Sequence, residues 1–163
     1  MAYRCTWTFK RLGKSRLQAS TNSGGIRVEG IRGPVKAQTH SGHIDIAHDI
    51  RAVTCSGGIV IGGSSQSCFA RNNSGRIPAD AGRQVIGQTN SGRIEIADAA
   101  GKVYAFTHSG SIVVHKLKGP ICVQNNSGRI EATEIAGAID AQTGSGAIRL
   151  LQVTPAPIRV LFK

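Results

Sequence analysis

The sequence predicts an all-β protein, a single-stranded parallel β-solenoid (β-helix) of about eight 18-residue coils that is capped at both ends. Successive serines of a recurring Ser-Gly pair are 18, 15, 18, 17, 18, 18 and 18 residues apart, and an isoleucine follows each glycine by two residues. Such a period is typical of coils that stack at about 4.8 Å. The pair begins at Ser23, Ser41, Ser56, Ser74, Ser91, Ser109, Ser127 and Ser145.

Each unit contains two short segments in which inward and outward residues alternate, separated by corners that contain glycine. In the clearest copy Ile94 and Ile96 point inward in the first segment, and Val103 and Ala105 in the second. A period of two is typical of strands, and no window has the spacing of a helix. At the corner, the glycine is expected to have a positive φ and the serine to bond to backbone. A third apolar column is expected between the segments, at Ile31, Ala99, Leu117, Ile135 and Val153.

The repeat divides the chain into a solenoid over residues 15–153 and two ends that break the pattern. Residues 1–14 are predicted to form an N-terminal cap or strand, because a stack of repeats has an open apolar cross-section at each end. Residues 154–163 are predicted to form a C-terminal capping strand, since prolines disfavour an ordinary central strand there. The alternating apolar residues of the two ends are Trp7 and Phe9, and Ile158, Val160 and Phe162.

The chain is strongly basic, with 20 Lys and Arg against 9 Asp and Glu and a formal net charge of +11. This balance favours anionic partners, although a basic surface that aids solubility is the simpler interpretation. Aromatic residues make up only 4% of the chain. Nucleic acid is therefore disfavoured as a partner, because few rings are present on which bases could stack.

The cysteines and the apolar runs limit the possible classes further. Cys5, Cys55, Cys68 and Cys122 show no CxxC pair and no metal-ligand spacing, so neither a metal site nor a particular disulfide is indicated. No apolar run approaches the roughly 18 residues of a membrane span. The first ten residues lack the apolar region of a signal peptide, which leaves open a cytoplasmic protein or a piece of a longer exported one.

The pattern (Thr/Asn)-(Asn/His)-Ser-Gly-x-Ile-x-(Val/Ile), followed by Gly-x-Val-x-Ala-x-Thr, resembles a bacterial β-strand-repeat family of adhesin-like domains of unknown function. The resemblance covers about residues 15–153. It implies a location in the cell envelope or outside the cell, and a non-catalytic binding or scaffold role. The family has no established catalytic residues to transfer to this chain, and neither the resemblance nor the residues indicate a cofactor.

The variable positions around the Ser-Gly pair are the candidates for ligand binding. Three copies read Asn-Ser-Gly-Arg, which predicts a basic, hydrogen-bonding stripe along the rod. Such a stripe suits a repeating anion such as an acidic polysaccharide, because guanidinium groups bind carboxylates in bidentate pairs. A soluble edge that discourages strand pairing is the alternative. The residues are Asn73, Arg76, Asn90, Arg93, Asn126 and Arg129.

An outward column of apolar and aromatic residues predicts a partner face, for an envelope protein or for self-association into a structural rod. We use that name for Phe69, Ile86, Tyr104 and Cys122. Val60, Pro78 and Val113 are outward apolar residues on the first segment.

His40 and Cys55 would be neighbours in adjacent coils and raise the alternative of a thiol-dependent enzyme. The sequence argues against this alternative, because no oxyanion feature accompanies them and a rod corner offers no evident pocket. Zinc held by His40, His43 and Cys55 is disfavoured as well, since no fourth ligand is evident.

Overall fold

Stacked β-coils make up the described part of the chain, which contains no helix, and the predicted parallel solenoid of about eight turns is confirmed. This computed structural model describes residues 5–13, 16–31, 33–46, 50–62, 67–80, 82–151, 154 and 156–162. The strands are β1 (Cys5–Gly13), β2 (Leu17–Ile31), β3 (Val35–Ser41), β4 (Ile44–Ile46), β5 (Ile50–Ser56), β6 (Ile59–Ile61), β7 (Ser67–Asp80), β8 (Gln84–Ala97), β9 (Lys102–Leu117), β10 (Ile121–Ile135), β11 (Ile139–Leu151) and β12 (Ile158–Phe162).

Each coil has two faces that meet at the Ser-Gly corner. We call the segment after the corner the first face and the segment before it the second face. Strands β2 and β7–β11 run through the corner, whereas β3 and β4, and likewise β5 and β6, are separated just after it. The described strand pairs are all parallel, with equivalent repeat positions aligned from coil to coil. Backbone groups are thus satisfied between coils, which is why a short repeat can be stable only in a stack.

The predicted inward columns form the core. Ile94 and Val103 are fully buried, and Ile96 and Ala105 nearly so. The third column is confirmed at Ala99, Leu117 and Ile135, whereas the Ile31 side chain and Val153 lie outside the description. Residues 47–49 and 81, which lie in the corners of the 15- and 17-residue units, are not among the described residues either. The isoleucines after the corner glycines are buried in every coil but the last, where Ile148 is half-buried: Ile26, Ile44, Ile59, Ile77, Ile94, Ile112 and Ile130.

The corner glycines are required by close contact between successive coils. Six of the eight have φ between 134° and 153°, as expected for a residue without a side chain. The other two, Gly42 and Gly92, are under the same spatial constraint: a Cβ on Gly92 would lie 2.0 Å from the carbonyl oxygen of Gly75. Glycine is therefore needed at this corner even where φ alone does not require it.

The side-chain hydrogen bonds found at the corner come from the residue two before the serine, and none from the eight serine hydroxyls is found among the described residues. The eight serines are exposed. Asn125 donates from Nδ2 to the Gly110 carbonyl of the preceding coil at 3.0 Å, and Asn72 donates to the Gly57 carbonyl at 2.6 Å. This polar column lies inside the rod, and its buried members are Thr39, Thr54, Asn72, Thr89, Thr107, Asn125 and Thr143.

Both predicted end strands are present, and they continue the ladder. At one end β1 pairs with the first face of β2, and Phe9 packs against the core while Trp7 stays 56% exposed. At the other end β12 pairs with the second face of β11, and its inward-position residue Phe162 is 66% exposed. Residues 1–4, 14, 155 and 163 of the two ends are not among those described. The described ranges hold no helix long and apolar enough to cross a membrane.

The Gly110→Ala variant tests the corner contact. A Cβ at Gly110 would lie 1.9 Å from the Gly92 carbonyl oxygen, at a φ of 148°. We expect the free energy of unfolding, measured by urea denaturation, to fall by about 2 kcal/mol or more.

Gly62→Ala is the matched control, because a Cβ there would meet nothing within 4 Å. That variant should stay within about 0.5 kcal/mol of the parent chain. Equal losses in the two variants would mean that inter-coil contact is not what requires glycine at the corner.

Candidate functional site

The predicted ligand residues lie on both sides of the Ser-Gly corner. Asn73 and Asn90 are exposed just before it and line a groove on the second face. Arg93 is exposed just after it and lines a groove on the first face. Asn126 and Arg129 are exposed at the equivalent positions two coils further along. The corner thus divides the predicted stripe into an amide side and a guanidinium side.

On the first face, two arginines of adjacent coils converge on one carboxylate. Arg93 Nε is 2.8 Å from Glu95 Oε1, and Arg76 Nε donates to Glu95 Oε2 at 2.8 Å. Arg76 Nη2 contacts the same Oε2 atom. Much of the positive charge of these two arginines is therefore already balanced within the chain.

Arg129 is in a different environment. The ladder places Ser111 between it and Arg93, so the arginine column is interrupted. No carboxylate in the described part of the chain lies within ion-pair distance of Arg129. The nearby Glu131 faces Arg149 instead, with 4.0 Å between Oε1 and Nη1. Of the three predicted arginines, Arg129 therefore keeps the most charge for an external anion.

The second-face groove contains a set of side chains that the sequence reasoning did not single out. Arg71, Gln88 and Phe106 occupy successive positions of one outward column and lie beside Asn73 and Asn90. The groove is open and has a volume of about 460 Å³. We call these five residues the amide groove. The repeat alignment could have identified this groove, because it places Arg71, Gln88 and Phe106 in the outward column two residues before the asparagine column.

The amide groove combines three kinds of contact. Asn73, Asn90 and Gln88 offer amide donors and acceptors. The Phe106 ring is 45% exposed, although a ring of this size is usually buried. Arg71 is exposed, and among the described residues no carboxylate pairs with it. The groove can therefore accept hydroxyl groups, an apolar ring surface and one anionic group.

The partner face is continuous in the structure. Phe69, Ile86, Tyr104 and Cys122 are aligned in consecutive coils and are each half-buried. A cation lies over each ring: Arg51 is 5.4 Å from the Phe69 centroid and Lys102 is 5.1 Å from the Tyr104 centroid. Arg51 is aligned with Phe69 in the neighbouring coil. The sequence did not assign it to this column, because it lies in the 15-residue unit that begins at Ser41.

The surroundings of the Cys122 thiol favour its protonated form. Burial raises the pKa of Cys122, and the negative charge of Asp140 raises it further, while Lys102 acts in the opposite direction. A raised pKa lowers the thiolate fraction and hence the reactivity of this cysteine.

His40 and Cys55 occupy equivalent corner positions in adjacent coils, because Thr39 pairs with Thr54 and Ser41 with Ser56. Both side chains are exposed. Cys55 lies at the margin of the amide groove, so the expectation that this corner offers no pocket does not hold for Cys55. Within the described ranges no group of three His, Cys, Asp or Glu side chains is placed to hold a metal ion. The side chain of Cys5 lies outside those ranges.

The first face carries a second groove, of about 540 Å³, beside the arginine and glutamate cluster. Its apolar wall comes from Val60, Pro78 and Val113, the outward residues noted in the sequence. Arg93 and Glu95 form part of its polar wall, and because they pair with each other, the groove offers mainly apolar surface.

Comparison of the chain with models of protein families, with curated proteins and with solved structures gives no significant match.

Glu95→Gln tests the paired arginines. It removes the charge that holds Arg76 and Arg93, whose side chains are 60% and 51% exposed. Because such exposed pairs are screened by solvent, we expect a loss of only about 0.5–1 kcal/mol of unfolding free energy in low-salt urea denaturation.

Glu131→Gln makes the same charge change at a carboxylate with one distant partner and should cost less. At about 1 M salt the difference between the two variants should disappear, because the screening length falls to about 3 Å. A difference that persists in high salt would contradict an electrostatic role for Glu95.

Proposed function

We propose that this chain is a non-catalytic, adhesin-like binding module that holds an acidic sugar polymer of a cell envelope against its second face. The observation that carries the proposal is the amide groove, where Arg71 lies among three amides and an exposed phenylalanine ring. These groups complement the hydroxyls, the apolar ring face and the carboxylate of an acidic saccharide.

The regular rise of the coils suits a polymer rather than a small molecule. The outward column of the groove continues along the rod as Gln124 and Gln142, and the asparagine column continues as Asn126. Successive coils are about 4.8 Å apart, and the amides are two coils apart where His108 and Phe106 interrupt the two columns. A ligand that presents hydroxyl groups at regular intervals can therefore contact several coils at once, which multiplies weak contacts.

Charge favours an acidic form of such a polymer. The net charge of +11 attracts polyanions over a long range, while the groove supplies one cation with a defined position. Since Arg76 and Arg93 are paired with Glu95, we assign the anion contact to Arg71. Arg129, which also lacks a carboxylate partner among the described residues, lies across the corner on the first face and is not part of this contact.

The exposed position of Cys55 and His40 supports a non-catalytic role. A nucleophile needs a base held beside it and a site that excludes water. Neither His40 nor Cys55 has a hydrogen-bond partner among the described residues that would orient it.

Arg71→Ser tests the site, with a hexamer of galacturonic acid as the probe and isothermal titration as the measurement. We expect affinity to fall about tenfold or more, because a charged hydrogen bond contributes about 1.5–3 kcal/mol. Arg83→Ser is the matched control, since it removes the same charge from an exposed site outside the groove.

The methyl ester of the same hexamer should bind much more weakly, because it lacks the carboxylates. Equal losses in the Arg71 and Arg83 variants would assign binding to net charge alone. A loss confined to an Arg76, Arg93 and Arg129→Ser variant would move the site to the guanidinium side of the corner. Absence of binding to the parent chain would refute acidic saccharide recognition.

The partner face supports a second function, a structural rod that associates side by side. Two cations stacked on a half-buried, continuous apolar column form a surface that a second rod could cover. Lateral contact between two such faces would bring the Cys122 residues of the two copies together when the rods lie parallel and in register, because Cys122 is at one end of the column.

For rods that lie parallel, this second function predicts a disulfide-linked dimer after oxidation at alkaline pH, where the Cys122 thiol loses its proton despite its raised pKa. The dimer is seen as a doubled mass on a non-reducing gel. The dimer should persist in Cys55→Ser and vanish in Cys122→Ser. A dimer lost in Cys55→Ser instead would contradict contact through the partner face.

A further inference from the structure

Exposed large apolar side chains are concentrated at the two ends of the rod. Five of the six such residues in the described ranges lie on terminal rungs, and the sixth is Phe106 in the amide groove. The five are Trp7, Leu151, Ile158, Val160 and Phe162, with exposures between 36% and 66%. Exposed large apolar side chains are thus more frequent at the ends of the rod than along its sides, which indicates a separate role for the ends.

At the C-terminal end the last described rung has a strand on each face. On the second face β12 places Ile158, Val160 and Phe162 in register with Ile139, Ala141 and Thr143, so its apolar residues continue the inward columns. On the first face the last part of β11 leaves Ile148 and Leu150 half-buried, although their equivalents in earlier coils are buried. No described segment covers either edge.

The N-terminal end is the matching rung. On the first face β1 places Trp7 and Phe9 in the inward columns, aligned with Ile26 and Val28. On the second face the start of β2 places Leu17, Ala19 and Thr21 in the three inward columns. Each end of the rod thus presents one first-face strand and one second-face strand.

The two ends are complementary in order and in side-chain size. Continuing the ladder of one copy puts β1 of the next copy on the last part of β11, and the start of β2 on β12. Cys5 falls at the corner position above Gly146, where a Cβ would meet a carbonyl oxygen, so the strand contact begins at Thr6. The large rings Trp7 and Phe9 then meet the aliphatic residues Ile148 and Leu150. The large Phe162 meets the small Thr21, and Val160 meets Ala19. Four of the five inward pairs therefore place a larger side chain against a smaller one, while Ile158 meets Leu17, a residue of equal size.

We propose that the open C-terminal rung binds the N-terminal rung of a second copy of this chain, and that copies associate head to tail. The parallel direction of the strands selects this arrangement, because only a head-to-tail contact continues the ladder without reversing the strands. Such a contact is heterologous and does not close, so it produces linear chains of rods.

The net charge of the molecule determines how association depends on salt. Each copy carries a net charge of +11, which opposes association, while the contact itself is apolar. Added salt screens the repulsion, and sulfate strengthens apolar burial, so association increases with ammonium sulfate. Saccharide binding weakens with salt, which separates this inference from the proposed function.

Sedimentation of the 163-residue chain over a concentration series tests the proposal. The parent chain forms a ladder of species at multiples of 17.1 kDa. Phe162→Lys and Trp7→Lys each place a charge on one end, at a residue exposed enough to leave the fold intact, as circular dichroism verifies. Each variant alone sediments as a monomer, with association weakened about tenfold or more.

An equal mixture of the two variants gives the sharper result. Phe162→Lys keeps an intact N-terminal rung and Trp7→Lys keeps an intact C-terminal rung, so the mixture forms a one-to-one dimer and nothing larger. Ile86→Lys, on the partner face, retains the full ladder of species. A strictly monomeric parent chain at millimolar concentration and high salt overturns the proposal. Dimers of either end variant alone, or loss of association in Ile86→Lys, assign the contact elsewhere and overturn it too.

Discussion

The contact between backbones of successive coils at the Ser-Gly corner is the constraint on which the rest of the structure depends. Along the rod the carbonyl oxygen of one corner glycine occupies the space that a Cβ of the next would need, within 1.7–2.0 Å at the positions from Gly42 to Gly146. Because this distance between corner backbones is fixed, every coil has the same register, and the residues of one inward column all have similar surroundings. Isoleucine recurs two residues after the glycine because the space beside the corner hardly changes from coil to coil.

This uniformity is why most of the fold could be predicted from the sequence. A residue in an inward column packs against apolar residues of the coils above and below. Apolar residues therefore recur in the sequence with the period of the coil. Ile94 and Leu117 were assigned to the core on that basis, and both are fully buried. The buried polar column was harder to assign, because Thr107 and Asn125 resemble surface residues in composition. Asn125 is held inside the rod by its bond to a corner carbonyl, whereas the buried Thr107 hydroxyl has no hydrogen-bond partner in the described part of the chain. A one-dimensional pattern contains neither fact.

The candidate site was harder to predict from the sequence, because it depends on where exposed side chains point and how far they reach. Asn73 and Arg76 are separated by two residues in the chain, yet the corner between them directs them to different faces. The pairing of Arg76 with Glu95 joins residues 19 apart in adjacent coils, and it depends on side-chain reach as well as on register. Arg71 and Phe106 belong to an outward column with no common residue type, so periodicity gave no reason to group them.

The two proposed surfaces are linked through charge. A solenoid has no intrinsic closure, and its terminal rungs carry the same inward columns as its interior, so association of ends is opposed here mainly by the repulsion between copies of charge +11. A polyanion held along the second face neutralises part of that charge without covering either end. By linkage, a ligand that favours the associated state is itself bound more tightly by that state. If both contacts form, an acidic polymer is therefore at once the ligand of the rod and the agent that promotes its assembly, and longer polymers have the larger effect because they span more than one copy.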